Sequence, residues 1–206
     1  MSSGIGGWQQ PRRYARANYV VQIEYQDERI MKVRPAVPAD LKQCAGLDHH
    51  YTTERVWQMN RREDNGEVVI SFHSVRLPRS MRVRYPRDPA RLWDDWRQWD
   101  GFLVAEEEGY IRGYLGMQSH PAEERGWIRD LVVGRPYRRL GIGTELLRKA
   151  MEWAAELKLH HLTVEMQSKN YPAISFCEKH GFHFCGFNEF HYPSQDIALF
   201  FTLKLL

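Results

Sequence analysis

Residues able to do chemistry gather in the C-terminal half of the chain. Arg138 and Arg139 stand side by side, Gly141 and Gly143 follow with one residue between them, and a helical pattern begins at once. A helix N-terminus presents unpaired backbone N–H groups and a partial positive charge, so phosphates bind there readily. Glycine lets that backbone approach a phosphate with no Cβ in the way, and arginine adds fixed charge with planar donors. Taken alone, the glycines also fit an ordinary loop. Beside paired arginines and a helix start they predict a pyrophosphate cradle at the head of a helix over 142–158. The spacing is neither G-x-G-x-x-G nor G-x-x-x-x-G-K-[ST].

Other polar residues compete for attention. Asp130 and Glu165 interrupt apolar, strand-like stretches, where a carboxylate is costly unless paired or used. A structural hydrogen bond, to a neighbouring loop or to Arg129, is the alternative to a chemical role. Cys177, His180, His183 and Cys185 are zinc-competent types. However, a helix followed by a glycine turn and a strand does not bring all of them to one point, so no metal is expected. His49-His50 and His160-His161 are adjacent pairs whose side chains point apart, and they are expected on the solvated surface. Arg79, Arg82, Arg84, Arg87, Arg91 and Arg97 interleave with Tyr85, Trp93, Trp96 and Trp99. That pattern could stack and steer a nucleic acid, but it fits a lid or a dimer surface better. The formal net charge of +3 is small for a dedicated nucleic-acid binder.

The elements that must position these residues follow from periodicity. Residues 29–37, 67–77 and 126–134 read as strands, and 101–120 as a hairpin turning at Glu108-Gly109. The apolar run at the end of 126–134 predicts a buried, central strand. Leu146, Leu147, Ala150, Met151, Ala154 and Leu157 give the next helix one apolar face, and 160–167 returns as a strand. This strand–helix–strand unit implies parallel neighbours joined by a right-handed crossover. Pro172 and Gly181 bracket a short helix over 171–182, and the chain closes on strands. Asp40 is placed to cap a helix over the following residues. Residues 52–66 read as a polar helix ending at Asn65-Gly66, and Glu106–Glu108 as a solvated hairpin tip.

With 206 residues, 43 % hydrophobic and 13 % aromatic, the chain can bury a substantial core. It has no apolar run near the ~20 residues that span a bilayer and no signal-peptide pattern at its start, so no membrane role and a cytoplasmic location are expected. Cys44, Cys177 and Cys185 are an odd set that suits reduced thiols rather than a disulfide framework.

The motifs together resemble a known family. Arg138, Gly141 and Gly143 after an apolar strand match the R-x-x-G-x-G acetyl-CoA signature of the GNAT superfamily of acyl-CoA-dependent N-acyltransferases. "NYPAISFCEKHGF" (170–182) resembles the family's second signature, with Asn170, Ala173, Phe176, Lys179 and Gly181-Phe182 in place. "IMKVRPAVPADL" (30–41) looks like its first strand and helix start. "WIRDLVVGRPYRRLGIGTELLRKAMEWA", "LTVEMQSKNYPAISF" and the tail from "GFNEFHY" through "DIALFF" are similar to the streptothricin acetyltransferases of that superfamily. Residues 52–99 show no such likeness.

The resemblance implies one α/β GNAT-type domain over 31–206, a mixed, mostly antiparallel sheet with a central parallel strand pair flanked by helices. Residues 1–30 would be an N-terminal extension and 52–99 an acceptor-side insert. It implies an N-acetyltransferase that uses acetyl-CoA to acetylate a primary amine by direct attack, on a small molecule such as an antibiotic or on a protein. Leu131, Val132, Val133, Arg138, Arg139, Leu140, Gly141, Ile142, Gly143, Thr144, Asn170, Ala173, Phe176 and Lys179 would contact the acetyl-CoA, with the N–H of Val132 or Val133 polarising the thioester carbonyl. The strand 160–167 would splay from 126–134 to admit pantetheine. Asn170 would meet the pantetheine arm or the departing thiol.

Two departures stand out. Many members carry a proton-donating tyrosine where this chain has Cys177, whose thiol could itself donate; Tyr192, matching a tyrosine of the resembling branch, Tyr171 and water are rivals. Some members place a glutamate base where this chain has Trp127, leaving Asp130, Glu165 or ordered water. The alternative function is a catalytically weak CoA-binding module acting as a sensor or partner protein. A homodimer is compatible with either.

Overall fold

The computed structural model describes residues 21–24 and 30–205. Alternating stretches become the strands β1 (Val21–Glu24), β2 (Ile30–Pro35), β5 (Gly101–Glu107), β6 (Tyr110–His120), β7 (Arg125–Val133), β8 (His161–Gln167), β9 (His183–Asn188) and β10 (Ala198–Lys204). They form one sheet in the order β1-β2-β5-β6-β7-β8-β10-β9. Neighbours pair antiparallel except β7 with β8, which run parallel near the centre. The crossover between those two is α3 (Ile142–Glu156), and α4 (Tyr171–Lys179) follows β8. The expected fold class is therefore present. β1 lies at the sheet edge on β2, so part of the segment read as peripheral joins the sheet. The rest of residues 1–29 lies outside the described residues.

Each face of the sheet carries its own core. On one side Leu146, Leu147, Ala150 and Ala154 of α3 and Ile174 and Cys177 of α4 pack on Leu115, Met117, Ile128, Leu162 and Phe201. Burying a leucine there is worth roughly 1.5–3 kcal/mol. On the other side Leu41 and Cys44 of α1 (Leu41–Ala45) and Leu92 of α2 (Leu92–Asp95) pack on Phe102, Val104, Tyr114 and Val132. Successive β6 residues Tyr114 and Leu115 thus serve opposite cores, as strand alternation requires.

Several expectations need correction. Residues 52–66 are not helical: Tyr51–Asp64 is β3, paired antiparallel with β4 (Glu67–Val83) in a separate long hairpin. Asn65 (φ 48°) and Gly66 (φ 87°) supply its turn, the strongest local hairpin signal. Polar residues on an exposed ribbon masked the period of two. The hairpin is anchored where Trp57 and Phe72 meet Phe184, and Trp57 meets Phe201. Asp40 does not cap α1; its carboxylate accepts the Val37 N–H at 2.8 Å and pairs with Arg34 at 2.7 Å. Glu106 and Glu107 are not a free tip, since Arg34 and Arg112 hold them. Among the described residues, no helix is long and apolar enough to cross a membrane.

Candidate active site

The site begins where the parallel strands part. β7 pairs β8 from Arg125↔His161 to Ile128↔Val164, and no farther. Beyond that point β7 stays on β6 and β8 stays on β10. A register shift between Gly116 and Met117 makes Arg129 the extra, bulged residue of β7. The Gly134 N–H donates to the Arg112 carbonyl at 2.8 Å, toward β6. Strand alternation then turns the N–H groups of Leu131 and Val133 to the gap, and that of Val132 back to β6. Of the residues expected to offer a carbonyl donor, Val133 has the right orientation and Val132 does not.

At the far end of β7 lies the glycine loop. Gly141 is left-handed (φ 84°), and no side chain among the described residues caps α3. The ladder starts with Glu145 N–H to the Gly141 carbonyl, 3.0 Å, so the N–H groups of Ile142, Gly143 and Thr144 have no acceptor within the helix. A Cβ on Gly143 would stand 3.6 Å from the Phe176 ring, which places α4 against the head of α3. His180 strengthens that contact: one ring nitrogen meets the Phe176 carbonyl at 2.7 Å and the other the Thr144 hydroxyl at 3.2 Å. Arg139, Leu140 and Lys179 are exposed. Arg138 differs from expectation. Its guanidinium donates to the carbonyls of Val133 (2.8 Å), Asp48 (2.7 Å) and His50 (2.8 Å), bracing the end of β7. Asn170 heads α4, its side-chain oxygen accepting the Ala173 N–H at 3.2 Å.

The opposite face of the gap is polar and crowded. Leu162 and Met166 of β8 enter the α3 core, so Thr163, Glu165 and Gln167 point the other way, and all are buried. Glu165 and Asp130, expected on neighbouring strands, are joined by one side chain, Arg87, from the loop after β4. Its guanidinium bonds Asp130 at 2.9 Å and also reaches Glu165. Tyr85 donates to Asp130 as well, Arg129 pairs with Glu165 at 3.2 Å, and His191 meets Glu165 at 3.1 Å. Burial pushes the Asp130 carboxyl above its ordinary range, against the pull of Arg87 and Tyr85. Burial works against the Arg87 charge, but Tyr85, Asp130 and Glu165 hold its pKa above the usual value.

The candidate acids are placed differently. Cys177 lies within the α3–α4 core, and burial, helped by Glu178, pushes its thiol up to about 12. Tyr192 is beside His191, and its hydroxyl is buried without a hydrogen-bond partner among the described residues. Burial, then the nearby Glu165, keeps it protonated well above neutral pH. His49 is not on the surface: it is 5 % exposed and meets the Tyr114 hydroxyl at 2.9 Å. The zinc-competent residues are dispersed, and no metal-holding group occurs among the described residues.

Arg87, Tyr85, His49 and His191 were not singled out from sequence as site residues. The one available hint was local: Arg87 sits in "YPRDP", where flanking prolines stiffen a loop within the arginine–aromatic stretch.

Known proteins bear on this geometry. A profile described as the acetyltransferase (GNAT) family matches residues 69–182. Streptothricin acetyltransferase of Streptomyces lavendulae is 27 % identical over 158 residues, covering 74 % of this chain and 82 % of that protein. An N-alpha-acetyltransferase of Sulfurisphaera tokodaii is 33 % identical over 134 residues, 60 % of this chain and 77 % of that one. The crystal structure of nourseothricin acetyltransferase shares the fold at a TM-score of 0.73 and 24 % identity, covering 85 % of this chain and 99 % of that one. The splayed parallel pair, the bare helix head and these likenesses together place the chain in the acetyltransferase (GNAT) family, as an N-acetyltransferase.

Proposed function

We propose that the chain moves an acetyl group from acetyl-CoA to a primary amine by direct attack. The observation that carries this reading is the parting of β7 from β8 after Ile128 and Val164, with the uncapped head of α3 just beyond. The diphosphate would take the N–H groups of Ile142, Gly143 and Thr144, with Arg139 alongside. Pantetheine would run through the gap, past Asn170. The thioester carbonyl would accept from Leu131 or Val133 N–H, which stabilises the oxyanion of the tetrahedral intermediate. The β-branched Val133 would narrow this end, favouring acetyl or propionyl over long chains.

As the C–N bond forms, the amine proton leaves toward the Asp130–Glu165 face. As the C–S bond breaks, its electron pair goes to sulfur, and Tyr192 would protonate it. The acceptor is a small molecule, as the name of the Streptomyces relative suggests, or a protein amine, as that of the Sulfurisphaera relative suggests. Acetyl-CoA consumption over a panel of streptothricin-like amines, polyamines and peptide N-termini tests this, with product mass as the readout. CoA release matched by acetylated amine is expected. Tight CoA binding with no transfer to any amine would instead support the sensor reading.

A further inference from the structure

We propose that His191 is the general base of the transfer and that Glu165 is the residue that positions it. The inference rests on the N-acetyltransferase reading above and assigns the proton-accepting atom that reading leaves open.

A general base must reach the amine directly or through one water. The carboxylates expected to do so are sealed: the Glu165 side chain is 1 % exposed and that of Asp130 4 %. Each is already engaged, Asp130 by Tyr85 and Arg87, and Glu165 by Arg87 and Arg129. The His191 ring stands outside them at 29 % exposure and holds Glu165 through Nε2 at 3.1 Å. With a carboxylate as acceptor, Nε2 carries the proton, and Nδ1 presents a lone pair. Nδ1 has no partner among the described residues.

The ring is also fixed in place. It meets Phe200 edge-on at 5.6 Å and Tyr192 at 4.8 Å. Phe200 in turn packs on Trp127 of β7, so His191 lies along the acceptor face of the parting strands. A carboxylate that orients an imidazole whose other nitrogen is open is the arrangement of a positioned base.

Charge balance separates this from an ordinary surface ion pair. Two carboxylates, Asp130 and Glu165, face two guanidinium groups, Arg87 and Arg129. These four groups balance one another, so the cluster is neutral without a charge from His191. The titratable and charged groups around it are Glu165 on β8, Arg129 and Asp130 on β7, Arg87 on the loop after β4, and Tyr192 next in sequence.

The step balances. The amine nitrogen bonds the acetyl carbon, and its proton passes to His191 Nδ1. The C–S bond breaks, sulfur keeps the pair, and Tyr192 gives the thiolate a proton. Return of one proton from His191 to Tyr192, its neighbour at 4.8 Å between rings, restores both.

His191→Gln and His191→Ala test the assignment under saturating acetyl-CoA. Loss of a general base typically costs about 10²-fold or more. A fall of that size in kcat is expected for both variants, with the acetyl-CoA KM little changed and the acidic limb of the pH profile altered. Added imidazole should restore His191→Ala, an effect that a merely structural role would not give. Glu165→Gln should show a smaller loss of kcat and a displaced acidic limb. Wild-type rates in His191→Gln, with transfer to amines intact, would overturn the assignment while leaving the N-acetyltransferase reading standing. Failure of imidazole to raise the rate of a folded His191→Ala would also overturn it. If the wild type acetylates no amine, both readings fall.

Discussion

The two faces of β7 are furnished in different ways. The face proposed for acetyl-CoA comes from neighbouring stretches of chain: the Leu131 and Val133 edge, the 138–144 loop, and the heads of α3 and α4. Backbone groups dominate it, and its main side-chain brace, Arg138, binds carbonyls. The face proposed for the acceptor is assembled from distant side chains: His49, Tyr85, Arg87, Tyr114, Asp130, Glu165 and His191. A backbone site suits a ligand portion that never varies, because main-chain N–H groups exist whatever the side chains are. A side-chain site can be altered one residue at a time, which suits an acceptor that differs between relatives.

That contrast can be broken most severely at Arg87. Removing one partner of a buried charge cluster typically costs about 3–5 kcal/mol, and Arg87→Met leaves Asp130 and Glu165 facing each other. Urea titration should show a loss of that order near neutral pH. The pH sign follows from Asp130, whose folded pKa lies above its ordinary 3.8. In the window between those values the folded state binds the proton more readily. Stability is therefore lost as pH rises through the folded pKa. Without Arg87 that pKa rises further, so the deficit of the variant should shrink on acidification. A loss near zero that ignored pH would mean the acceptor face is merely surface.

On the cofactor face the comparable lesion is Gly141→Val. A left-handed backbone costs a β-branched residue ~1–2 kcal/mol or more, and the new side chain would project into the proposed diphosphate site. Calorimetric titration should show the acetyl-CoA Kd raised at least about tenfold, equivalent to 1.4 kcal/mol. The acceptor KM should change much less. Equal damage to both substrates would erase the division of labour.

The smallest expected effects distinguish the acids. Tyr192→Phe should lower kcat by roughly 10–100-fold, since a thiolate is a good leaving group and needs less help than the usual range for acid catalysis. Cys177→Ala should leave kcat near wild type and cost about 1 kcal/mol of stability, as a small core truncation does. The reverse pattern in single-turnover rates would move the proton donor into the α3–α4 core.

The same contrast decides what was legible in the sequence. Arg138, Gly141 and Gly143 sit within one turn of a helix start, and the strand–helix–strand period brackets them, so local spacing exposed both motif and topology. Asp130 and Glu165 were conspicuous because charge inside apolar strands is costly. Arg87 and His191 carry no such mark. Their contacts with Asp130 and Glu165 arise only when the loop after β4 and the loop after β9 fold over the sheet, and no sequence period links those loops to β7. β3 was missed for a related reason: Tyr51, Thr53, Trp57 and Met59 do turn inward between the exposed Thr52, Glu54, Gln58 and Asn60, but an exposed ribbon has no apolar face wide enough to reveal the period.

The most direct test is a crystal structure of the protein with acetyl-CoA. The account predicts the diphosphate about 3 Å from the N–H groups of Ile142, Gly143 and Thr144. It also predicts pantetheine between β7 and β8, and the thioester carbonyl on the N–H of Leu131 or Val133. A diphosphate bound away from the head of α3, or a carbonyl directed away from that edge of β7, would contradict it.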